Sequence, residues 1–151
     1  MNSAKKRTLG IILLVLSLIG VGLTVYLTYQ HFKVDESAFC NFNDYLNCDI
    51  VNKSEYSEFA GIPVSIMGMV AYVVFFIYSI GLLKSARWAQ RSTGLMTVFG
   101  GVSLLISLVL TYIEFFVLYA VCIFCLSQQF VILFIFLLLL SLWRAHRLSH
   151  S

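Results

Sequence analysis

The chain has 151 residues, of which 60% are hydrophobic and 11% are charged, and it contains one proline. This composition excludes an ordinary soluble domain, in which about a quarter of the residues carry a charge. The net charge of +3 does not indicate nucleic-acid binding, because the basic residues are divided among separate short segments rather than gathered in one patch.

Four apolar runs, each long enough to cross a bilayer as a helix, follow one another along the chain. The runs cover about 9–32, 62–83, 93–119 and 121–143, and a polar loop covers about 33–61. The first run is longer than the apolar part of a signal peptide, and no small-x-small cleavage site follows it. The sequence therefore predicts an all-α integral membrane protein. We expect one membrane domain over 1–151, a bundle of four transmembrane helices with an extracytoplasmic loop between helices 1 and 2.

The basic residues predict the orientation of this bundle. Eight of the ten lysines and arginines fall on one side of a four-span topology: Lys5, Lys6, Arg7, Lys84, Arg87, Arg91, Arg144 and Arg147. The positive-inside rule then puts both termini in the cytoplasm. The loop and all four cysteines lie on the opposite, oxidising side. The basic residues alone suit a bacterial inner membrane and the endoplasmic reticulum alike.

Two polar features lie near the external side of the predicted bundle. The loop segment 52–59 begins with Asn-x-x-Glu, which resembles a capping box. It predicts either a short surface helix with Tyr56, Phe59 and Ala60 on one side, or an ordinary loop with one helical turn. Glu114 is the only acid in or near a span; a proton path is one interpretation, and exposure to water is the favoured one.

The four cysteines form two pairs. Cys40 and Cys48 lie in the polar loop, and Cys122 and Cys125 form a CxxC motif at the start of the fourth span. Residues three apart on a helix share a face, and a helix N-terminus favours the thiolate. Two dithiols on one side of a membrane can pass a disulfide between them by thiolate attack. The alternative is a pair of static disulfides that staple the protein. We expect no metal site, because a zinc site would usually pair two short-spaced motifs.

These residues together resemble the vitamin K epoxide reductase family. The resemblance runs from the first loop to the fourth span and is carried by Cys40, Cys48, Ser54, the segment Gly61–Gly68 and the segment Phe115–Cys125. The order of the two cysteine pairs, with the spaced pair first and the CxxC motif at the fourth span, is the specific feature of the resemblance. An unrelated family of four-span disulfide oxidases carries its CxxC motif in the first external loop. The resemblance implies a four-helix bundle around a quinone pocket, with the loop cysteines as shuttle.

Carried over to this chain, the resemblance assigns a role to each cysteine. Cys40 exchanges with a partner's thiols, Cys48 attacks Cys122, and Cys125 becomes the thiolate that faces the quinone. The predicted quinone-contacting residues are Ser54, Val64, Met67, Tyr119 and Gln129. Val64 stands where the family usually has asparagine, and Gln129 stands where the animal enzymes have tyrosine.

The sequence thus predicts a membrane thiol–disulfide oxidoreductase that supports disulfide formation. Electrons pass from the partner through the loop pair and the CxxC pair to a quinone, which is menaquinone, ubiquinone or vitamin K. Many bacterial relatives carry a fused thioredoxin-like domain that we do not find here, so we expect a separate thioredoxin-fold partner on the extracytoplasmic side. The alternatives are a vitamin K epoxide or quinone reductase of the endoplasmic reticulum, and a non-catalytic membrane protein with two structural disulfides.

Overall fold

The computed structural model describes residues 3–33, 41–43 and 45–148, and most of these residues are helical. The elements in chain order are α1 (Ser3–Phe32), α2 (Cys48–Asn52), a 3-10 turn (Glu55–Ser57), β1 (Glu58–Phe59), β2 (Ile62–Pro63), α3 (Val64–Leu83), α4 (Arg87–Arg91), α5 (Thr93–Phe116) and α6 (Ile123–Leu148). Within the described residues, α1, α3, α5 and α6 are long and apolar enough to cross a membrane. The predicted all-α membrane protein with four spans is confirmed.

The four long helices pack as a bundle in which α1 lies along α3 and α6, and α5 lies along α6. Small residues allow these helices to approach closely. Close packing matters in a membrane because lipid tails are as apolar as the side chains, so the hydrophobic effect does not drive the helices together. Gly20 of α1 faces the ring of Tyr72 on α3, and Gly100 of α5 faces Leu139 on α6. Phe75 and Ile135 fill the space between the helices and are completely buried.

Buried hydroxyl groups inside the bundle are satisfied by nearby acceptors. The Ser17 hydroxyl donates to the Leu13 carbonyl at 2.7 Å, and Tyr78 donates to the Thr93 hydroxyl at 2.9 Å. Such bonds are required in a membrane, because no water is present to replace them. Large apolar side chains are exposed along all four helices, as expected of surfaces that face lipid.

The bundle has two chemically different ends. The cysteine end contains the C-termini of α1 and α5 together with the N-termini of α3 and α6. At the opposite end, which we call the basic end, lie all eight of the lysines and arginines that the sequence assigns to the cytoplasm. The hairpin of β1 and β2, in which Phe59 pairs with Ile62, leads from the loop into α3.

In the segment 52–59 the structure has the second of the two predicted forms, a loop with one helical turn, and not the surface helix. Asn52 ends α2 instead of starting a helix, and the side chain that caps α2 is Asn47. Only Glu55–Ser57 form a helical turn, of the 3-10 type, and Phe59 belongs to β1. The capping-box interpretation was wrong, because the side chain of Asn52 bonds across to α1 instead of closing a helix start of its own.

The connection between the third and fourth spans is longer than predicted. α5 ends at Phe116 and α6 begins at Ile123. The amide N–H groups of Val117 and Leu118 both bond to the Ile113 carbonyl, and Tyr119 has a positive φ of 50°. This left-handed residue reverses the chain in a segment without glycine or proline, so the sequence carried none of the usual turn signals.

Candidate active site

The CxxC motif straddles the start of α6. Cys122 immediately precedes the helix, and its sulfur accepts a hydrogen bond from the Cys125 backbone N–H at 3.3 Å. An N-cap side chain normally bonds to the N–H three residues later, so this cysteine caps the helix as a serine would. Both cysteines are free thiols. Cys122 is completely buried, whereas the side chain of Cys125 lines a cavity.

The loop cysteine Cys48 is buried against the CxxC motif. Cys48 is 3% exposed and belongs to the same buried cluster as Cys122 and Leu27. Cys48 is disulfide-bonded, while Cys40, the other predicted loop cysteine, lies outside the described residues. The structure therefore combines an oxidised Cys48 with a reduced CxxC pair.

Backbone bonds attach the loop to the beginning of α6. The Val121 N–H donates to the Tyr45 carbonyl at 2.7 Å, and Leu46 forms a parallel bridge with Val121. The Asn41 side chain accepts the Cys48 N–H at 3.1 Å. These contacts fix Cys48 next to Cys122 without relying on the cysteines themselves.

Glu114 is a buried carboxylate at the CxxC motif. Its side chain is on α5, is 3% exposed and accepts the Cys122 N–H at 3.1 Å through Oε2. The same carboxylate interacts with the Cys125 thiol and lines the cavity. The expectation that Glu114 faces water was wrong, because α5 turns this side chain inward against the start of α6.

The cavity has a volume of about 80 Å³, which is more than one water molecule needs. Its roof consists of loop residues, including Asn52, Ser54 and Tyr56, and its inner wall includes Cys125 and Gln128 from α6. Most of the remaining lining is apolar. The lining thus combines apolar side chains with polar ones and one thiol, which is the chemical character of a small-molecule site.

The roof of the cavity is anchored to α1. The Asn52 side-chain amide donates to the Leu27 carbonyl at 2.6 Å. His31 Nδ1 donates to the Asn52 carbonyl at 2.6 Å, and His31 Nε2 lies 3.1 Å from Glu58 Oε1. His31 thus holds the roof in place.

Comparison with protein-family models identifies the family of the chain. The model described as the vitamin K epoxide reductase family matches residues 11–140. The chain belongs to the vitamin K epoxide reductase family. Membership implies a membrane oxidoreductase of the thiol–disulfide and quinone-reducing class.

The predicted quinone-contacting residues are divided between the cavity and the outer surface. Ser54 and Val64 line the cavity. Met67 is 43% exposed and Tyr119 is 71% exposed, and neither lines the cavity. Gln129 also lies outside the lining; its side-chain oxygen accepts hydrogen bonds from Ser107 and Thr111 on α5.

Sequence reasoning did not assign several polar residues that line the cavity, among them Asn52 and Gln128, and for Glu114 it favoured exposure to water. For Glu114 a signal existed, because an ionisable residue within a span is costly in lipid and usually faces a functional interior. Asn52 and Gln128 carry no comparable signal, since amides are common in loops and near the ends of spans.

Proposed function

We propose that the protein oxidises the thiols of a thioredoxin-fold partner and passes the electrons to a lipid-soluble quinone. The observation that carries this proposal is the position of the three described cysteines. Disulfide-bonded Cys48 is buried beside the free thiol of Cys122, and Cys125 opens onto the cavity. Thiol–disulfide exchange requires direct approach of sulfur atoms, and burial in one cluster supports that approach.

The proposed reaction begins when the partner reduces the loop pair. Cys48 attacks Cys122 of the oxidised CxxC pair, which leaves a Cys48–Cys122 disulfide and frees Cys125. Cys40 then attacks Cys48 and releases Cys122, so the loop pair is oxidised and the CxxC pair is reduced. A disulfide-bonded Cys48 with free thiols at Cys122 and Cys125 corresponds to this stage, before electrons reach the quinone.

For the quinone ring, we propose Gln128 as a hydrogen-bond donor. Gln128 lines the cavity, and among the described residues no side-chain hydrogen bond occupies its amide. A quinone carbonyl accepts a hydrogen bond and needs a donor. Val64, which stands where the family usually has asparagine, has no donor in its side chain, and the Gln128 amide provides one. The contacts at Met67 and Tyr119 remain predictions, whereas at Gln129 we now propose no contact, because its side-chain oxygen accepts from Ser107 and Thr111 on α5.

The proposed orientation puts the cysteine end outside the cytoplasm and both termini inside it, in a bacterial inner membrane. Concentration of the basic residues at the opposite end supports this orientation. An oxidising compartment at the cysteine end would keep the loop disulfide available for exchange. The loop would there meet a separate thioredoxin-fold protein.

The test is anaerobic reduction of a short-chain quinone by the protein in lipid nanodiscs, with a reduced thioredoxin-fold protein as electron donor. Wild type is expected to turn over, as is Ser141→Ala, an exposed change near the basic end of α6. Cys125→Ala is expected to abolish turnover while leaving the protein folded. Turnover by Cys125→Ala would refute the relay, and turnover of vitamin K epoxide would favour the epoxide reductase alternative.

A single-turnover version separates the two halves of the relay. Cys48→Ala is expected to lose turnover with the partner protein. After chemical reduction of its CxxC pair, however, the same variant should still form one quinol per protein. Failure of the reduced variant to form quinol would contradict the separate roles of the loop and CxxC cysteines.

The adjacent glutamines of α6 offer a matched test of the ring site. Gln128→Leu removes the amide in the cavity and is expected to raise the quinone KM by about 10-fold, equivalent to one hydrogen bond of ~1.4 kcal/mol. Gln129→Leu changes a neighbouring amide that faces α5 and should leave the quinone KM within about twofold. Equal effects of the two substitutions would contradict the assignment of Gln128.

A further inference from the structure

We infer that Glu114 is the proton carrier of the quinone-reducing step. This inference rests on the proposed function and adds a catalytic residue to it. Glu114 belongs to neither cysteine pair, yet it contacts both residues of the CxxC motif and also lines the cavity. It therefore lies between the sulfur that loses a proton and the space where the ring would gain one.

The quinone-reducing step must move two protons from the CxxC thiols to the ring. Oxidation of the two thiols of Cys122 and Cys125 breaks two S–H bonds and forms one S–S bond. Reduction of a quinone to a quinol takes up the two electrons and forms two O–H bonds. The two thiol protons must travel from sulfur to ring oxygen, and Glu114 is an ionisable side chain that lines the same cavity as Cys125.

Glu114 can carry each proton in turn. Its carboxylate accepts the Cys125 proton and donates it to one ring oxygen. The Cys122 proton then passes by way of the neighbouring Cys125 sulfur to the same carboxylate and on to the second oxygen. After both transfers the carboxylate has returned to its initial state. The protein is left with a Cys122–Cys125 disulfide, and no further reductant or proton source is needed.

A purely structural role does not account for the carboxylate. The bond from the Cys122 N–H to Oε2 at 3.1 Å needs only an oxygen acceptor, which a neutral glutamine amide also provides. An ionisable group within a membrane span is expensive compared with an amide. The choice of glutamate at a site 3% exposed is explained by its ability to gain and lose a proton.

The experiment compares Glu114→Gln with wild type in the anaerobic nanodisc assay, starting from protein whose CxxC pair has been reduced. General acid–base catalysis contributes about 10²–10⁴-fold, so we expect Glu114→Gln to slow quinol formation by about that factor with an unchanged quinone KM. Exchange between the loop pair and the partner should continue at the wild-type rate. A Glu114→Gln rate within about twofold of wild type would overturn the inference.

A second variant guards against misfolding and separates this inference from the proposed function. Glu114→Ala leaves space beside Cys125, and added formate is expected to restore quinol formation in proportion to its concentration. Folded Glu114→Ala that formate does not rescue would overturn the proton-carrier role. If wild type itself forms no quinol, the proposed function is wrong. If wild type forms quinol and both Glu114 variants form it at the same rate, the proposed function stands and Glu114 is not the proton carrier.

Discussion

Replacing Gly20 by alanine is expected to destabilise the bundle at the contact of α1 with α3. A Cβ atom at this position would lie 2.3 Å from Cδ1 and 2.4 Å from Cε1 of the Tyr72 ring. Carbon atoms in contact prefer about 3.5–4.0 Å, so the ring or the helix must move by about 1 Å. Tyr72 is 2% exposed and has little room to move, because its hydroxyl bonds to the Gln128 carbonyl.

Gly22 provides the matched control two residues away on the same helix. A Cβ atom there meets nothing within 4 Å. Both substitutions gain the same helix propensity, about 0.5–1 kcal/mol, so the difference between the two variants isolates the clash. Overpacking of this kind costs about 1–3 kcal/mol, which makes Gly20→Ala less stable than Gly22→Ala by that amount.

Thermal unfolding in detergent micelles can measure this difference with a dye that fluoresces on reaction with newly exposed cysteine thiols. At about 2–4 °C per kcal/mol for a protein of this size, the melting temperatures should differ by roughly 2–12 °C. In a Tyr72→Leu background, where the ring is absent, the gap should close. Equal melting temperatures of the Gly20 and Gly22 variants would refute the proposed contact.

Three further predictions concern the loop and the orientation of the protein. Asn52→Ala removes the bond to the Leu27 carbonyl and should lower the free energy of unfolding by about 1–3 kcal/mol in the same melting assay. Asn47→Ala removes the cap of α2 and should cost about 0.5–2 kcal/mol; stopped-flow exchange with the partner should slow because Cys48 is held less firmly. In a cysteine-free variant, an impermeant maleimide should label Ser57→Cys from outside spheroplasts but label Ser85→Cys only after permeabilisation. The reverse pattern would invert the proposed orientation.

The helices and the grouping of cysteines at one end could be predicted from the sequence, because both follow from the lengths of apolar runs. Four runs that each cross the bilayer once bring the loop and the start of the fourth span to the same end. This counting needs no information about side-chain packing. The same reasoning explains why the basic residues gather at the other end.

The rotation of each helix about its axis could not be predicted. Neighbouring residues on a helix point about 100° apart, so the sequence does not reveal which of Gln128 and Gln129 faces the cavity. Glu114 was misjudged for the same reason, because its distance from the end of the span does not show which side it faces. These rotations depend on interlocking contacts such as Gly20 with Tyr72, which involve residues 52 positions apart.

The two sulfurs of the CxxC motif have unlike surroundings although one helical turn separates them. Cys122 is sealed among Leu27, Cys48 and Val51, whereas Cys125 borders the cavity. Small thiols dissolved in the surrounding medium therefore have no open approach to the first sulfur. Burial of Cys122 therefore limits thiol–disulfide exchange at this sulfur to the loop pair. It also limits loss of electrons to oxidants other than the quinone.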